Sequence, residues 1–165
     1  MKKIAAVISL VVISLLSVGG AFALSDEQLK VVAGECETIH QVLHSLQKSD
    51  SKMRVKLGYH YETVLSKYMI PLNSRLVKNS ISNTELIELQ TNFKEAKQNF
   101  SDDFVTYQKN LESLIDKDCT RDPNEFYEAL EGVRNDRRKV RQDVIKLNGL
   151  VKKFQNAIVN LKESL

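Results

Sequence analysis

FYEALEGVRNDRRKVRQDVIKLNGLVKKFQNAIVNLKESL, residues 126–165, carries a stripe through Phe126, Leu130, Val133, Arg137, Val140, Val144, Leu147, Val151, Phe154, Ile158, Leu161 and Leu165. The steps alternate four and three. A period of 3.5 held this long keeps one stripe turned toward a partner helix and implies a left-handed supercoil, which an ordinary amphipathic surface helix does not need. Arg137 is the only polar residue on the stripe.

Two further segments carry the same pattern. Upstream, Leu86, Leu89, Phe93, Ala96, Phe100, Phe104, Tyr107, Leu111 and Leu114 form a second seam, with two four-residue steps in succession at Phe100–Phe104. The first segment runs Leu29, Val32, Cys36, Ile39, Leu43, Leu46, Asp50, Met53, Leu57, Tyr61, Val64, Tyr68, Leu72 and Leu76, with its own doubled step at Leu57–Tyr61. Such doubled steps are stutters, which locally unwind a supercoil. Each segment opens with a capping residue followed three positions later by Glu or Gln: Ser25 with Gln28, Ser82 with Glu85, and Asp122 with Glu125. This spacing satisfies orphan backbone donors at a helix start, and Pro123 suits the first helical position. The expected helices span about 25–79, 83–117 and 123–165, with short connections that make sequential helices antiparallel neighbours. Pro71 predicts a kink or a helix end near itself. Ser49-Asp50-Ser51 can break the first segment into two shorter helices, but continuity is the preferred reading because the seam keeps its phase across it. The fold expected is all-α: an elongated antiparallel three-helix coiled-coil bundle with one disulfide.

The disulfide follows from the N-terminus. Lys2 and Lys3, the apolar run Ile4–Val18, the break at Gly19-Gly20 and the small-x-small Ala21-Phe22-Ala23 have the form of a signal peptide over residues 1–23. The competing reading is an uncleaved anchor, since the apolar run approaches the roughly 20 residues that span a bilayer. Both put residues 24–165 outside the cytoplasm, whether periplasmic, secreted or membrane-anchored. Two cysteines in such a compartment pair most simply with each other. The level of the helices agrees: about 43 residues from Cys36 up to Asn79 and about 36 from Asn83 down to Cys119 rise roughly 64 and 54 Å. The same ruler sets Asp50 about 21 Å above Cys36 and Arg137 about 22 Å above Asp122. A partly buried ion pair between Asp50 and Arg137 is therefore expected, with Asp102 or Asp103 near the same layer; the alternative is that Arg137 snorkels to solvent and Asp50 sits in a loop.

Composition narrows the function more by exclusion than by assignment. Without Lys2 and Lys3, the 24 basic residues become 22 against 21 acidic ones, too even a balance for a nucleic-acid binder. Two prolines, six glycines and no tryptophan argue against a turn-rich all-β fold. Roughly 140 residues beyond the N-terminal segment fit one domain. No Gly-rich phosphate loop, haem attachment motif or nucleophile elbow is present, so neither enzymatic activity nor a cofactor is expected. His40 and His44 stand one helical turn apart, a spacing that can hold a metal with Glu37 adding an oxygen, but the same positions suit a solvated helix face. The basic run Arg134, Arg137, Arg138, Lys139 and Arg141 can bind an anionic polymer, yet Glu131, Asp136 and Asp143 are interleaved with it and favour a salt-bridged face. Of Tyr59, Tyr61 and Tyr68, the last two fall on the seam and are expected in the core.

The stretches Arg54–Leu76, containing MIPLNSRL, and Asp118–Val133, DCTRDPNEFYEALEGV, resemble exported helical proteins of unassigned function from small-genome candidate-phylum bacteria. That resemblance implies a helical fold and an exported location, and no activity. The leading expectation is a non-enzymatic structural or protein-interaction module of the cell envelope, monomeric, whose partner is another envelope protein or polymer. Membrane contact would come only through residues 1–23. The alternatives are a periplasmic holdase-type chaperone and a metal or small-ligand binder at His40 and His44.

Overall fold

The computed structural model describes residues 25–164, so the signal-peptide reading of residues 1–23 and the seam's last member, Leu165, lie outside the described residues. The described chain is helical in α1 (Asp26–Gly34), α2 (Cys36–Thr63), a π-helical segment (Val64–Met69), α3 (Ile70–Lys78), α4 (Thr84–Ile115) and α5 (Pro123–Ser164). No strand occurs among these residues. They form a helical bundle closed by a Cys36–Cys119 disulfide, with Cα atoms 5.6 Å apart.

Helix α4 is the spine. It packs along α5 over the most extensive contact in the molecule and also receives α2, the π segment and α3. All nine of its seam residues are buried, from Leu86 to Leu114, because two neighbours cover that stripe. On α5 the burial is graded. Phe126, Val133, Val140, Leu147 and Phe154, one per heptad, are buried together with Leu150 and Ala157, while Leu130, Val144 and Val151 stay partly exposed. Contacts tie the first helical stretch to α4 and the connection after it: Cys36 with Cys119, just beyond α4, Asp50 with Tyr107, Arg54 with Gln108, and Asn73 with Gln90 near the other end. Between α4 and α5, Asn110 pairs with Asp136, and Lys117, just beyond α4, pairs with Glu125.

Three expectations need correcting. The helix expected over 25–79 is interrupted at Glu35, whose backbone (φ −101°, ψ 14°) leaves the helical basin directly before Cys36. The break lets α1 pack on α5 while α2 packs on α4. Around Asp50 the chain is helical throughout. The cap of α4 is Asn83, not Ser82: its Oδ1 accepts from the Leu86 N–H at 2.9 Å. Ser25 and Gln28 form the reciprocal box, whereas Asp122 accepts from the Glu125 N–H while the Glu125 side chain turns to Lys117.

The third correction concerns the seam past Tyr61. In place of Val64 and Tyr68, the buried residues are Tyr61, Leu65, Met69 and Asn73, and Tyr68 is 64% exposed. Successive steps of four suit the wider π turn, where the Ile70 N–H reaches back five residues to the Leu65 carbonyl. Pro71 explains its position. Proline has no N–H to offer the carbonyl four residues back, and its ring clashes with that group in a normal helix. The wide turn before it lets the helix continue into α3 instead of ending. Opposite, the stutter of α4 meets that of α2, and the Tyr61 and Phe100 rings stand edge to face at 5.6 Å. Two local unwindings at one level keep both seams in contact.

Candidate functional site

Edge-to-face rings run down the core from Tyr61 through Phe100 and Phe104 to Tyr107. The column ends on a charge. Tyr107 donates its hydroxyl to Asp50 Oδ2 at 2.7 Å, and Arg137 approaches the same carboxylate through Nε at 3.0 Å and Nη2 at 3.3 Å. Residues from α2, α4 and α5 thus meet in one polar layer. The Asp50 side chain is 4% exposed and that of Arg137 is 51% exposed, so the guanidinium covers a buried anion and keeps its outer edge in water. Burial pushes the Tyr107 hydroxyl well above its ordinary value, and the bond and charge of Asp50 push in the same direction. For Arg137, burial works against the charge, but the bonds and charge of Asp50, with Tyr107, outweigh it and the guanidinium is held more firmly protonated. Asp103 is not part of this layer. It stands one turn away on α4 and faces Asp143 of α5, whose carboxyl is pushed up by burial first and by Asp103 second. The third member that sequence ruling missed is Tyr107, whose apolar seam position concealed a polar tip.

A second cluster lies at the disulfide. Cys119 is fully buried and Cys36 only partly so. The His40 ring packs on Phe126 with centroids 5.9 Å apart, and its Nε2 lies 3.1 Å from the Lys117 carbonyl and 3.7 Å from Cys119 Sγ. A carbonyl can only accept, so the Nε2 position carries the hydrogen of that bond. Cys36, His40 and Cys119 bring their potential ligand atoms within 4.8 Å of one another. With the sulfurs joined and the Nε2 hydrogen committed, this group is a hydrogen-bond donor beside a disulfide. His44 is exposed and outside the group, and Glu37 accepts from Gln41 on the helix surface. The structure thus brings His40, and not His44, together with the two cysteines. The spacing Cys36-x3-His40, one helical turn, was the sequence signal for it.

The basic run of α5 is largely partnered: Arg134 with Glu131, Arg137 with Asp50, Lys139 with Asp136 at 3.8 Å, and Arg138 with Asn135. Two shallow open depressions flank α4, of about 220 Å³ beside Ala129 and Val133 and about 380 Å³ beside Val55 and Phe100. Among the described residues no helix is long and apolar enough to cross a membrane. The Cys36–Cys119 disulfide fits an oxidising, extracytoplasmic compartment. The chain matches no family profile, no curated protein and no solved structure.

Proposed function

We propose that this protein is a non-enzymatic interaction module of the cell envelope, exported through residues 1–23 and working as a monomeric, elongated, antiparallel three-helix coiled coil. The observation that carries the reading is the pair of cross-links between helices: the Cys36–Cys119 disulfide and, farther along the bundle, the Asp50–Tyr107–Arg137 layer. Both consume polar or reactive groups to tie helices together. Such ties suit a scaffold that must hold its shape outside the cell. The partner is another envelope protein or polymer. Val55 and Tyr59, one turn apart on α2 and 73% and 77% exposed, are the outward apolar groups that best suit a contact.

In-cell photocrosslinking tests this. A photoreactive residue at Tyr59 is expected to give one discrete adduct with an envelope component, and the same residue at the exposed Lys152 of α5 is expected to give none. Many unrelated adducts from both positions would favour the holdase reading instead. No adduct from Tyr59 or from any other exposed position on the three long helices would reject an interaction module.

A further inference from the structure

We propose that the Cys36–Cys119 bond is an exchange disulfide, opened at Cys36 by an extracytoplasmic dithiol, with Cys119 as the leaving thiolate and His40 as the positioning residue that receives it. Three observations lead there. The two cysteines differ in access: Cys119 has no exposed surface, while Cys36 opens α2 next to the break at Glu35 and keeps part of its surface in solvent. An attacking thiolate must reach the sulfur it bonds to, so access selects Cys36. The departing sulfur has a donor within reach: His40 Nε2 lies 3.7 Å from Cys119 Sγ, and its hydrogen, which serves the Lys117 carbonyl while the bond is closed, passes to the thiolate, the stronger acceptor, once that charge forms. A hydrogen bond to a thiolate lowers the cost of expelling it. The ring is also held in place, packed at a tilt against the buried Phe126.

The exchange balances as two displacements. A thiolate of the dithiol attacks Cys36 Sγ; a mixed disulfide forms, the Cys36–Cys119 bond breaks, and its electron pair remains on Cys119 Sγ beside His40 Nε2–H. The second thiol of the reductant, as thiolate, then attacks its own partner sulfur in the mixed disulfide and expels Cys36 as a thiolate. Both protein sulfurs take up protons released by the dithiol, which leaves as a disulfide. Two electrons have moved. What is released is the tie between the start of α2 and the connection joining α4 to α5.

The test uses the full oxidised chain under native conditions. With glutathione, followed by rapid alkylation and peptide mass spectrometry, the mixed disulfide is expected on Cys36 and the alkylated thiol on Cys119. With dithiothreitol, His40→Phe, which keeps a ring against Phe126 but has no N–H, is expected to slow reduction about tenfold, the effect of losing one hydrogen bond to a charged sulfur. Helicity should not change, and the oxidised-state Tm should fall by only about 3 °C, the effect of losing the one bond to the Lys117 carbonyl. His40→Gln, which restores an N–H donor, is expected to stay near the wild-type rate. Glutathione found on Cys119, or evenly on both sulfurs, would overturn the proposal. So would equal rates for wild type and His40→Phe, or reduction no faster than global unfolding. Should His40→Phe fail to fold, the position of the glutathione adduct on the wild-type chain still decides.

Discussion

Asp50 is a carboxylate with almost no exposed surface, and its position is tolerable because three donors converge on it, one from Tyr107 and two from Arg137. A buried charge that loses its partner costs roughly 3–5 kcal/mol, while an exposed pair contributes under about 1 kcal/mol. Arg137 is half in water, so Arg137→Leu should fall between these limits, at about 2 kcal/mol. Asp50→Leu strands the Tyr107 hydroxyl in the core and should cost about 1–3 kcal/mol. The double variant Asp50→Leu/Arg137→Leu should be more stable than the sum of the singles implies, with a coupling of at least about 1 kcal/mol. Urea unfolding of the four proteins measures it, and additive effects would mean that the two side chains do not interact in solution. Spacing alone was enough to pair Asp50 with Arg137, because both interrupt apolar seams and helical rise converts residue number into height. The same ruler could not separate Asp103 from its neighbours on α4, since one turn around a helix decides whether a side chain meets Asp50 or Asp143.

Helix ends and helix irregularities belong to the next scale. After α3, the Ile81 N–H bonds the Leu76 carbonyl at 2.9 Å and the Ser80 N–H bonds the Val77 carbonyl at 3.0 Å. This is a Schellman closure, and it puts Ser80 at φ 57°, where a side chain crowds the backbone and glycine does not. Ser80→Gly should therefore raise stability by about 0.5–1 kcal/mol, read as a higher Tm. An unchanged or lower Tm would show that the unfolded chain's extra freedom with glycine cancels the gain. Each start signal fell within a residue of an observed helix start, because capping is a local exchange between neighbouring groups. The π segment was not legible from apolar steps alone. Leu65 and Met69 lie beside Val64 and Tyr68 in sequence, and both pairs are apolar enough to fill a seam. The wide turn before Pro71 selects the first pair.

For the whole molecule, the disulfide is the longest-range constraint, closing a loop between residues separated by 83 positions. Loop-closure entropy assigns such a bond up to about 4.5 kcal/mol, acting mainly on the unfolded chain. Cys36→Ala/Cys119→Ala should keep the helical circular dichroism of the oxidised protein and unfold at a clearly lower urea concentration. Loss of helicity without denaturant would instead show that the bundle depends on the bond to fold. Because α1 packs on α5 and α2 on α4, the bond also holds the point where those two paths diverge.

The all-helical class, the seams of α4 and α5 and the pairing of Cys36 with Cys119 were within reach of the sequence, since they rest on periodicity, local capping and chain length. Which residues along each seam are sealed depended on the tertiary structure. Burial is set by how many neighbours cover a stripe, and α4 alone is covered along its whole seam. The same holds for His40. One turn from Cys36 it looked like half of a histidine pair with His44, and only the return of the chain through Lys117 and Cys119 set its N–H beside a buried sulfur.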